Sequence, residues 1–484
     1  MKNLNDILRN INPVKVLGNT SIEVKNIQFD SRKIESESMF VAIPGTQSDG
    51  HDFIAKAIEL GASTIVCEKL PETTNNKITW IVVADSADTL GIMAANFYNN
   101  PSEKLKLVGI TGTNGKTTTV TQLYRLFRGL GFKTGLISTV VNCIEDKTYE
   151  STHTTPDQLA LNSLIAEMVE AGCEYCFMEV SSHSLAQKRT SGLKFTGALF
   201  SNITHDHLDY HQTFDNYIKA KKLFFDNLEK EAFAIVNIDD RNGMVMVQNT
   251  KAKVKTYAMR SIADFKVKVI ESSFEGMNLK LDNVDFWTPL IGEFNAYNLL
   301  AVYSAAIMLN QDKETVLQLL SSFREVNGRF ETVRSKTGIT AIVDYAHTPD
   351  ALVNVLKTIN QIRKGGEQLI TVVGAGGNRD KTKRPIMAKV CVENSDKVII
   401  TSDNPRFEEP DDIIKDMVVG VETQYKSKTI SITDRHEALK TAVMLAKPGD
   451  IILVAGKGHE TYQDVKGVKH HFDDKEELGK LLNN

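Results

Sequence analysis

Short apolar runs alternate with longer amphipathic stretches along most of the chain. Apolar runs bounded by turn residues are typical of buried strands, and apolar residues spaced three and four apart are typical of helices. Over residues 1–100 this pattern predicts a helix over 54–60 and strands over 41–44, 63–68 and 79–83. The mixture indicates a small α/β unit.

From residue 101 to residue 330 the alternation becomes regular, and Pro101 marks its beginning. The pattern predicts helices over 116–126, 159–170 and 217–228 and strands over 105–110, 133–138, 175–180, 197–202 and 233–236. Strands that alternate with helices indicate a parallel sheet. Around residues 265–286 the period shortens to two, which predicts an antiparallel hairpin.

Residues 331–484 repeat the alternation of strand and helix. Helices are predicted over 350–362 and 434–445, and strands over 341–345, 369–374, 397–401 and 451–455. This rhythm predicts a second, Rossmann-like doubly wound sheet. No G-x-G-x-x-G follows its first strand, so a dinucleotide is disfavoured.

The first strand of the middle region ends in a glycine-rich turn that leads into a helix. The turn and first helical residues are Gly112, Thr113, Asn114, Gly115, Lys116, Thr117 and Thr118. Glycines let backbone N–H groups converge on an anion, and the helix N-terminus adds its dipole. Lys116 can reach terminal phosphates and the Thr117 hydroxyl can bind Mg²⁺. The loop is shorter than the common P-loop, but its setting favours a nucleoside triphosphate over an ordinary turn.

The sequence therefore predicts an α/β protein of three domains. They are an N-terminal mixed α/β domain over 1–100, a central P-loop ATPase domain with a parallel sheet over 101–330, and a C-terminal Rossmann-like doubly wound domain over 331–484.

The composition argues against three classes of protein: nucleic-acid-binding, membrane-inserted and zinc-binding. Apolar residues make up 42% of the chain, charged residues 24%, and the net charge is −4. Without a basic tract, nothing favours nucleic acid. The N-terminus lacks a signal-peptide core and no apolar run is long enough for a bilayer, so we expect a cytoplasmic protein without membrane insertion. Cys173 and Cys176 form a lone CxxC, which favours buried strand thiols over zinc.

Polar clusters follow several predicted strands, where functional groups gather in open α/β sheets. Glu179 ends one strand and either completes a Mg²⁺ site or caps the next helix. Segment 202–211 holds three histidines and two aspartates, a density that favours metal or phosphate contact over plain loop. The following helix carries three lysines whose spacing alone indicates a solvated face: Lys219, Lys221 and Lys222.

Three strand ends of the last region are also charged, at 378–381, 403–406 and 456–460. A glycine-rich or proline-containing turn is usually only a turn. Three of them in one domain indicate a shared cleft for a zwitterion or a dianion. Arginine suits bidentate carboxylate binding, and Glu460 suits an ammonium group.

Segments 112–118, 205–211, 295–298 and 403–406 together resemble the Mur ligases, and the resemblance extends from 30–32 to 456–460. It implies a uridine-nucleotide domain, an ATPase domain and a Rossmann-like domain. It also implies ATP-dependent addition of meso-2,6-diaminopimelate to UDP-N-acetylmuramoyl-L-alanyl-D-glutamate through an acyl phosphate, with ATP and Mg²⁺ as cofactors and a monomeric protein.

The resemblance also implies residue roles. For the UDP substrate it implies Ser31, Thr46, Gln47, Ser48, Thr154, Thr155, Ser181, Gln187 and Arg189. For ATP it implies residues 112–118 with Asn295, Arg329 and Asp344. For the metal it implies Thr117, Glu179, His207 and Lys221, the last as a carbamate, and for catalysis Lys116, Lys221 and His207. For diaminopimelate it implies Arg379, Asp403, Asn404, Pro405, Arg406, Gly456 and Glu460.

Three alternatives remain open. The same type of ligase could add L-lysine, although lysine-adding relatives tend to lack the arginine at position 406. Folylpolyglutamate synthetases share the ATPase core but lack a counterpart of the N-terminal region. An ATP-responsive regulatory protein would need no ligase site, and the intact loop at 112–118 argues against it.

Overall fold

The structure is a computed structural model that describes residues 1–45 and 48–483, except for the side chains of residues 208 and 209. The first unit contains helices α1 (Leu4–Ile7), α2 (Ile54–Glu59) and α3 (Ser86–Phe97), and strands β1 (Lys2–Asn3), β2 (Lys15–Leu17), β3 (Glu23–Val24), β4 (Ile27–Gln28), β5 (Ser38–Val41), β6 (Ala62–Cys67) and β7 (Thr79–Val82). Its main sheet has the order β2-β7-β6-β5-β4, with only β2 antiparallel.

The strand predicted over 41–44 is wrong, because β5 ends at Val41. Its four residues are all buried, including the polar Ser38. A strand buried on both faces tolerates a small polar residue, which the apolar pattern does not register.

The second unit contains strands β8 (Lys106–Thr111), β9 (Thr134–Ile137), β10 (Val141–Ile144), β11 (Lys147–Glu150), β12 (Tyr175–Glu179), β13 (Gly197–Phe200), β14 (Phe233–Asn237), β15 (Lys253–Ala258), β16 (Phe265–Ser273), β17 (Gly276–Leu281) and β18 (Val284–Thr288). Its helices are α4 (Lys116–Gly129), α5 (Gln158–Glu170), α6 (Ser182–Ala186), α7 (Leu208–His211), α8 (Phe214–Asp226), α9 (Gly243–Met246), α10 (Glu293–Met308) and α11 (Lys313–Leu320).

The central sheet has the order β11-β10-β9-β12-β8-β13-β14-β15-β16-β17-β18. Strands β9 to β16 in this order are parallel, and antiparallel pairs extend the sheet at both ends. The hairpin predicted over 265–286 is confirmed as part of the β16–β18 meander. Strand β8 lies between β12 and β13, so their carboxyl ends meet at one edge of the sheet.

The third unit contains strands β19 (Glu331–Arg334), β20 (Thr340–Asp344), β21 (Leu369–Ala375), β22 (Lys397–Ser402), β23 (Thr429–Ser431), β24 (Ile451–Ala455), β25 (Tyr462–Val465) and β26 (Val468–His471). Its helices are α12 (Pro349–Ile362), α13 (Lys383–Asn394), α14 (Pro410–Val418), α15 (Arg435–Leu445) and α16 (Asp474–Asn483).

The third sheet has the order β19-β20-β24-β21-β22-β23 and is parallel except at β19. Successive residues of its strands point to opposite faces. Ile342 and Leu453 pack with α12, α13 and α14, whereas Val343 and Ile452 pack with α15 and α16. The predicted Rossmann-like, doubly wound arrangement and the α/β fold class are confirmed.

Helix α10 was not predicted. It is buried around most of its circumference, so it lacks the amphipathic period by which a surface helix is recognised. In the part of the chain that the structure describes, no helix is long and apolar enough to cross a membrane.

Candidate functional site

A cleft of about 1280 Å³ lies between the second and third units, where the carboxyl ends of their parallel strands meet. The central sheet contributes the turn after β8 and the segments after β12, β13 and β14. The C-terminal sheet contributes the segments after β20, β21, β22 and β24. The polar strand ends expected from the sequence therefore meet in one place.

The glycine-rich turn after β8 has the geometry of an anion cradle. Gly112 and Gly115 have φ angles of 155° and 87°, and a Cβ on Gly112 would lie 1.9 Å from Ser201 Oγ. No side chain caps the start of α4, so its first N–H groups remain open to an anion. Lys116 Nζ donates to the carbonyls of Gly112 at 3.0 Å and Thr113 at 2.9 Å.

Glu179 joins the end of β12 to this turn. Thr117 Oγ1 donates to Glu179 Oε1 at 2.8 Å, and the backbone N–H of Thr139 donates to the same oxygen at 2.8 Å. Arg329, which lies just before β19, donates through Nη2 to Thr117 Oγ1 at 3.3 Å. Two hard oxygens thus lie side by side next to the anion cradle.

Lys221 contradicts the solvated-face interpretation of its helix. Its side chain is 1% exposed, and Nζ donates to the Gly112 carbonyl at 2.8 Å. Burial, reinforced by the nearby charge of Lys116, holds the pKa of Lys221 well below its usual range. By contrast, Lys219 is exposed on the same helix and Lys222 pairs with Asp226. Apolar spacing could not separate these three lysines.

The histidines of segment 202–211 have different surroundings. His207 lines the cleft, 3.5 Å from Asp206, and burial lowers the pKa of His207 to about 4. His205 stacks on Phe214, and His211 Nε2 lies 3.0 Å from Ser182 Oγ. Among the described residues, no group of three or more His, Cys, Asp or Glu side chains could hold a metal ion. A metal site here needs other ligand types as well.

Residues expected to bind the UDP substrate form a group beside Glu179. Arg189 donates to the Thr155 carbonyl at 2.7 Å and, through Nε and Nη2, to Gln187 Oε1. Thr154 accepts a hydrogen bond from Thr139, and Ser181 caps α6. All except Gln187 line the cleft, and Gln187 holds Arg189 in place.

The remaining residues of that set are in the first unit. Ser31 begins a short 3₁₀ turn and Ser48 is exposed; neither lines the cleft. Thr46 and Gln47 lie outside the described residues.

Of the three residues expected at ATP outside the glycine-rich turn, two line the cleft and one does not. Arg329 and Asp344 line the cleft, but Asn295 is buried in α10 and donates to the Ile291 carbonyl. One turn later, Asn298 lines the cleft, with Oδ1 2.6 Å from where a Cβ on Gly115 would be. Asn298 belongs to segment 295–298, so the sequence contained a signal for this residue, although only Asn295 was expected at ATP.

Asp344, at the end of β20, binds two backbone N–H groups near the start of the third unit. It accepts the backbone N–H groups of Phe330 at 2.7 Å and Ala346 at 2.8 Å. Burial raises the pKa of the Asp344 carboxyl, although the nearby Arg329 opposes that shift. Asp344 therefore fixes the backbone next to Arg329.

The charged ends of β21, β22 and β24 meet on the far side of the cleft. Arg379 and Arg406 both line it, and Arg406 Nη1 donates to the Gly377 carbonyl at 2.8 Å. Arg406 is therefore held against the loop that follows β21. Asp403, Asn404, Gly456 and Glu460 also line the cleft, whereas Pro405 does not.

Anionic groups lie next to these arginines. Asn404 Nδ2 donates to Glu460 Oε2 at 2.6 Å. Burial and the neighbouring charge of Asp403 raise the pKa of Glu460, and Lys457 opposes that shift. Lys457, which belongs to the charged segment 456–460, is fully buried with Nζ 3.7 Å from Glu460 Oε2. Cations and a carboxylate at one end of the cleft suit a ligand with both an ammonium and a carboxylate.

This chain resembles known proteins along most of its length. Three family profiles match: the Mur ligase family catalytic domain over 23–98, the Mur ligase middle domain over 110–306, and the Mur ligase glutamate ligase domain over 328–458. A Bacteroides fragilis protein named UDP-N-acetylmuramoyl-L-alanyl-D-glutamate--2,6-diaminopimelate ligase is 59% identical over 479 residues, which cover 99% of both chains.

Solved structures show the same likeness. A structure carrying that ligase name is 31% identical, covers 99% of this chain and 98% of its own, and has a TM-score of 0.70. The MurF ligase of Thermotoga maritima, solved in complex with ADP, is 20% identical, covers 95% and 97%, and has a TM-score of 0.61. The second likeness supports the fold alone.

Proposed function

The chain belongs to the Mur ligase family, and from that premise we propose that it adds meso-2,6-diaminopimelate to UDP-N-acetylmuramoyl-L-alanyl-D-glutamate with ATP, in peptidoglycan precursor synthesis. One observation carries the proposal: the cleft has an anion cradle on one side and a paired cation and carboxylate site on the other. The full-length similarity to a ligase of that name supports the same reaction. We further propose that the protein acts in the cytoplasm as a monomer.

The chemistry begins with a carboxylate, which is a poor electrophile at neutral pH. The γ-phosphoryl group of ATP passes to a side-chain carboxylate oxygen of D-glutamate, and ADP leaves. The amine of diaminopimelate then attacks the acyl carbon, phosphate leaves, and the amine loses a proton as the amide forms. Lys116 and the N–H groups at the start of α4 stabilise the charge of the transferred group, so positioning and electrostatics dominate.

The donor set beside the cradle fits Mg²⁺. Thr117 and Glu179 present hard oxygens 2.8 Å apart, and the low pKa of His207 keeps its ring neutral and able to act as a ligand. We propose these residues, with Lys221 as a carbamate, as the metal ligands. The ion would supply charge stabilisation at the phosphates of ATP.

The reaction is tested by phosphate release from purified protein with ATP, Mg²⁺, the UDP-linked dipeptide and diaminopimelate. Release is expected only when both the dipeptide and the amino acid are present. Lys116→Ala should abolish turnover without unfolding the protein, because its amine sits on the loop that would hold the phosphates. A folded Lys116→Ala variant that turns over near the wild-type rate would refute this assignment.

The choice of amino acid is tested by comparing meso-diaminopimelate with L-lysine. The far end of diaminopimelate has a carboxylate as well as an amine, and Arg406 would pair with that carboxylate. Losing a buried charge-assisted pair costs about 2–5 kcal/mol, so Arg406→Ala should lower kcat/KM for diaminopimelate at least about tenfold. A wild-type preference for lysine would overturn the specificity.

Two alternative functions are less well supported. A folylpolyglutamate synthetase is expected to lack the first unit, whereas a Mur ligase profile matches it here over 23–98. A regulatory ATP-binding protein would release phosphate without either co-substrate or not at all, and the same assay distinguishes it.

A further inference from the structure

An ion-pair network centred on one buried arginine ties α13 to the loop that follows β22. Arg384 is 0% exposed, and its guanidinium donates to both oxygens of Glu408, at 3.0 and 2.9 Å. Arg384 also donates to Asp416 Oδ2 at 2.8 Å, and Lys381 Nζ lies 3.0 Å from Glu408 Oε2. A planar guanidinium engaged on both nitrogens fixes direction as well as distance.

The network lies at the base of two crossed loops, residues 376–380 after β21 and residues 403–409 after β22. The N–H of Gly377 donates to the Asn404 carbonyl at 2.9 Å, and the N–H of Phe407 donates to Asn378 Oδ1 at 3.0 Å. The N–H of Asn378 donates in turn to Glu408 Oε1. Each loop is therefore held by the other, and Glu408 joins both to Arg384.

Each loop contains a residue in the left-handed region of backbone space. Asn378 has φ 51° and Arg406 has φ 52°. This conformation is uncommon for a non-glycine residue, and it is less costly for Asn378 than for Arg406 because asparagine adopts it more readily. The hydrogen bonds between the loops and the ion pair at their base hold both positions, one of which precedes Arg379 while the other is Arg406 itself.

The charges inside the network balance. Arg384 and Lys381 are two cations, and Glu408 and Asp416 are two anions. The hydrogen bonds from Arg384 lower the pKa of Glu408 to about 2, so it is ionised at neutral pH. The network therefore draws no charge from the arginines on the cleft side of the loops, Arg379 and Arg406.

We propose that Glu408 and Arg384 are positioning residues that set the preference for an amino acid with a carboxylate on its far end. They do so by holding the crossed loops so that Arg379 and Arg406 converge on that carboxylate. Neither residue lines the cleft, so they act through the loops and not by contact with the ligand. This inference rests on the proposed function.

The test compares Glu408→Gln with Glu409→Gln. The two changes are chemically identical and adjacent in one loop, but Glu409 is 65% exposed and its ion pair, with Lys466, lies on the surface. Glu408→Gln removes the charge that Arg384 holds, so the loops relax and the KM for meso-diaminopimelate should rise about tenfold or more. The KM for ATP, the KM for the UDP substrate and kcat at saturating diaminopimelate should stay within about twofold. Glu409→Gln should match the wild type.

Specificity provides the second readout. Glu408→Gln should lower the ratio of kcat/KM for diaminopimelate to that for L-lysine, since lysine lacks the distal carboxylate. A purely structural role would reduce kcat with both amino acids equally, and that outcome would overturn the inference. Equal diaminopimelate KM values for Glu408→Gln and Glu409→Gln would also overturn it.

If Glu408→Gln does not accumulate as folded protein, the Arg384→Lys variant tests the inference instead. It keeps the positive charge but loses the planar fork, so the same rise in KM and the same fall in the specificity ratio are expected.

The activity of the wild type separates this inference from the proposed function. If the wild type shows no diaminopimelate-dependent phosphate release, the proposed function itself fails. If the wild type is active but the variants keep its specificity ratio, only the positioning role fails.

Discussion

Two lysine amines, of which only that of Lys221 is buried, share one acceptor beside the anion cradle. Lys116 and Lys221 both donate to the Gly112 carbonyl, at 3.0 and 2.8 Å. Two like charges this close repel each other, and desolvation lowers the pKa of each lysine. Conversion of Lys221 to a carbamate would replace a cation by an anion and remove that repulsion. Single-residue chemistry thus favours modification of Lys221 over Lys219, which is exposed.

At this scale we predict that Lys221→Ala loses activity and regains part of it when a short carboxylic acid is added. The alanine leaves room for the added acid, whose carboxylate takes the place of the carbamate. Lys219→Ala on the same helix should retain activity and should not respond to the acid. Phosphate release with and without acetate measures both variants. If acetate gives no recovery and CO₂ removal leaves the wild type unaffected, Lys221 is not carbamylated.

At the scale of elements, α3 packs against the turn that carries Gln187 and Arg189. A Cβ on Gly91 of α3 would lie 2.4 Å from the Ser191 carbonyl oxygen, and Ser191 Oγ donates to Asp88 Oδ1 at 2.8 Å. The helix accepts a residue of poor helix propensity so that the two backbones can approach. This contact sets how the first unit sits on the central one, where the UDP substrate is proposed to span both.

We predict that Gly91→Ala destabilises the protein by about 1–3 kcal/mol through overpacking, although alanine is the better helix former. It should also raise the KM for the UDP substrate more than the KM for ATP. Gly479→Ala in α16 is the matched control, since its added Cβ would meet no neighbouring atom within 4 Å among the residues that the structure describes. That change should be neutral or slightly stabilising. Chemical denaturation checks both variants, and a Gly91→Ala midpoint equal to that of Gly479→Ala would contradict the close contact.

At the scale of the whole molecule, the cleft draws one side from the second unit and the other from the third. Arg329 crosses between them, contacting Thr117 on one side and lying 4.6 Å from the centre of the Tyr345 ring on the other. The reacting groups bound on the two sides must meet, and enzymes of this layout commonly close by hinge motion. Residues 329–335 are our candidate hinge.

We therefore predict that a non-hydrolysable ATP analogue together with the UDP substrate makes the protein more compact. Small-angle scattering should show a smaller radius of gyration for the wild type with both ligands. Lys116→Ala, which weakens the hold on the phosphates, should show less change at the same ligand concentrations. An unchanged radius in the saturated wild type would remove the support for closure.

The sequence alone determined the features that depend on neighbours along the chain. Strand β24 is confirmed at the predicted residues, and α4 begins at the predicted Lys116, because apolar period and glycine-rich turns act over a few residues. The glycine-rich turn and the charged strand ends could be predicted from the sequence for the same reason. Their meeting at one cleft follows from a general rule of parallel sheets.

Tertiary structure decided the environment of each side chain. Only packing buried Lys221 while leaving Lys219 exposed, and only the docking of α10 on the loop put Asn298 and not Asn295 at the cleft. Likewise, the pairing of Arg384 with Glu408 joins residues that the chain separates by 24 positions. Desolvation and long-range pairing arise only when distant segments meet, so neither can be predicted from a local sequence pattern.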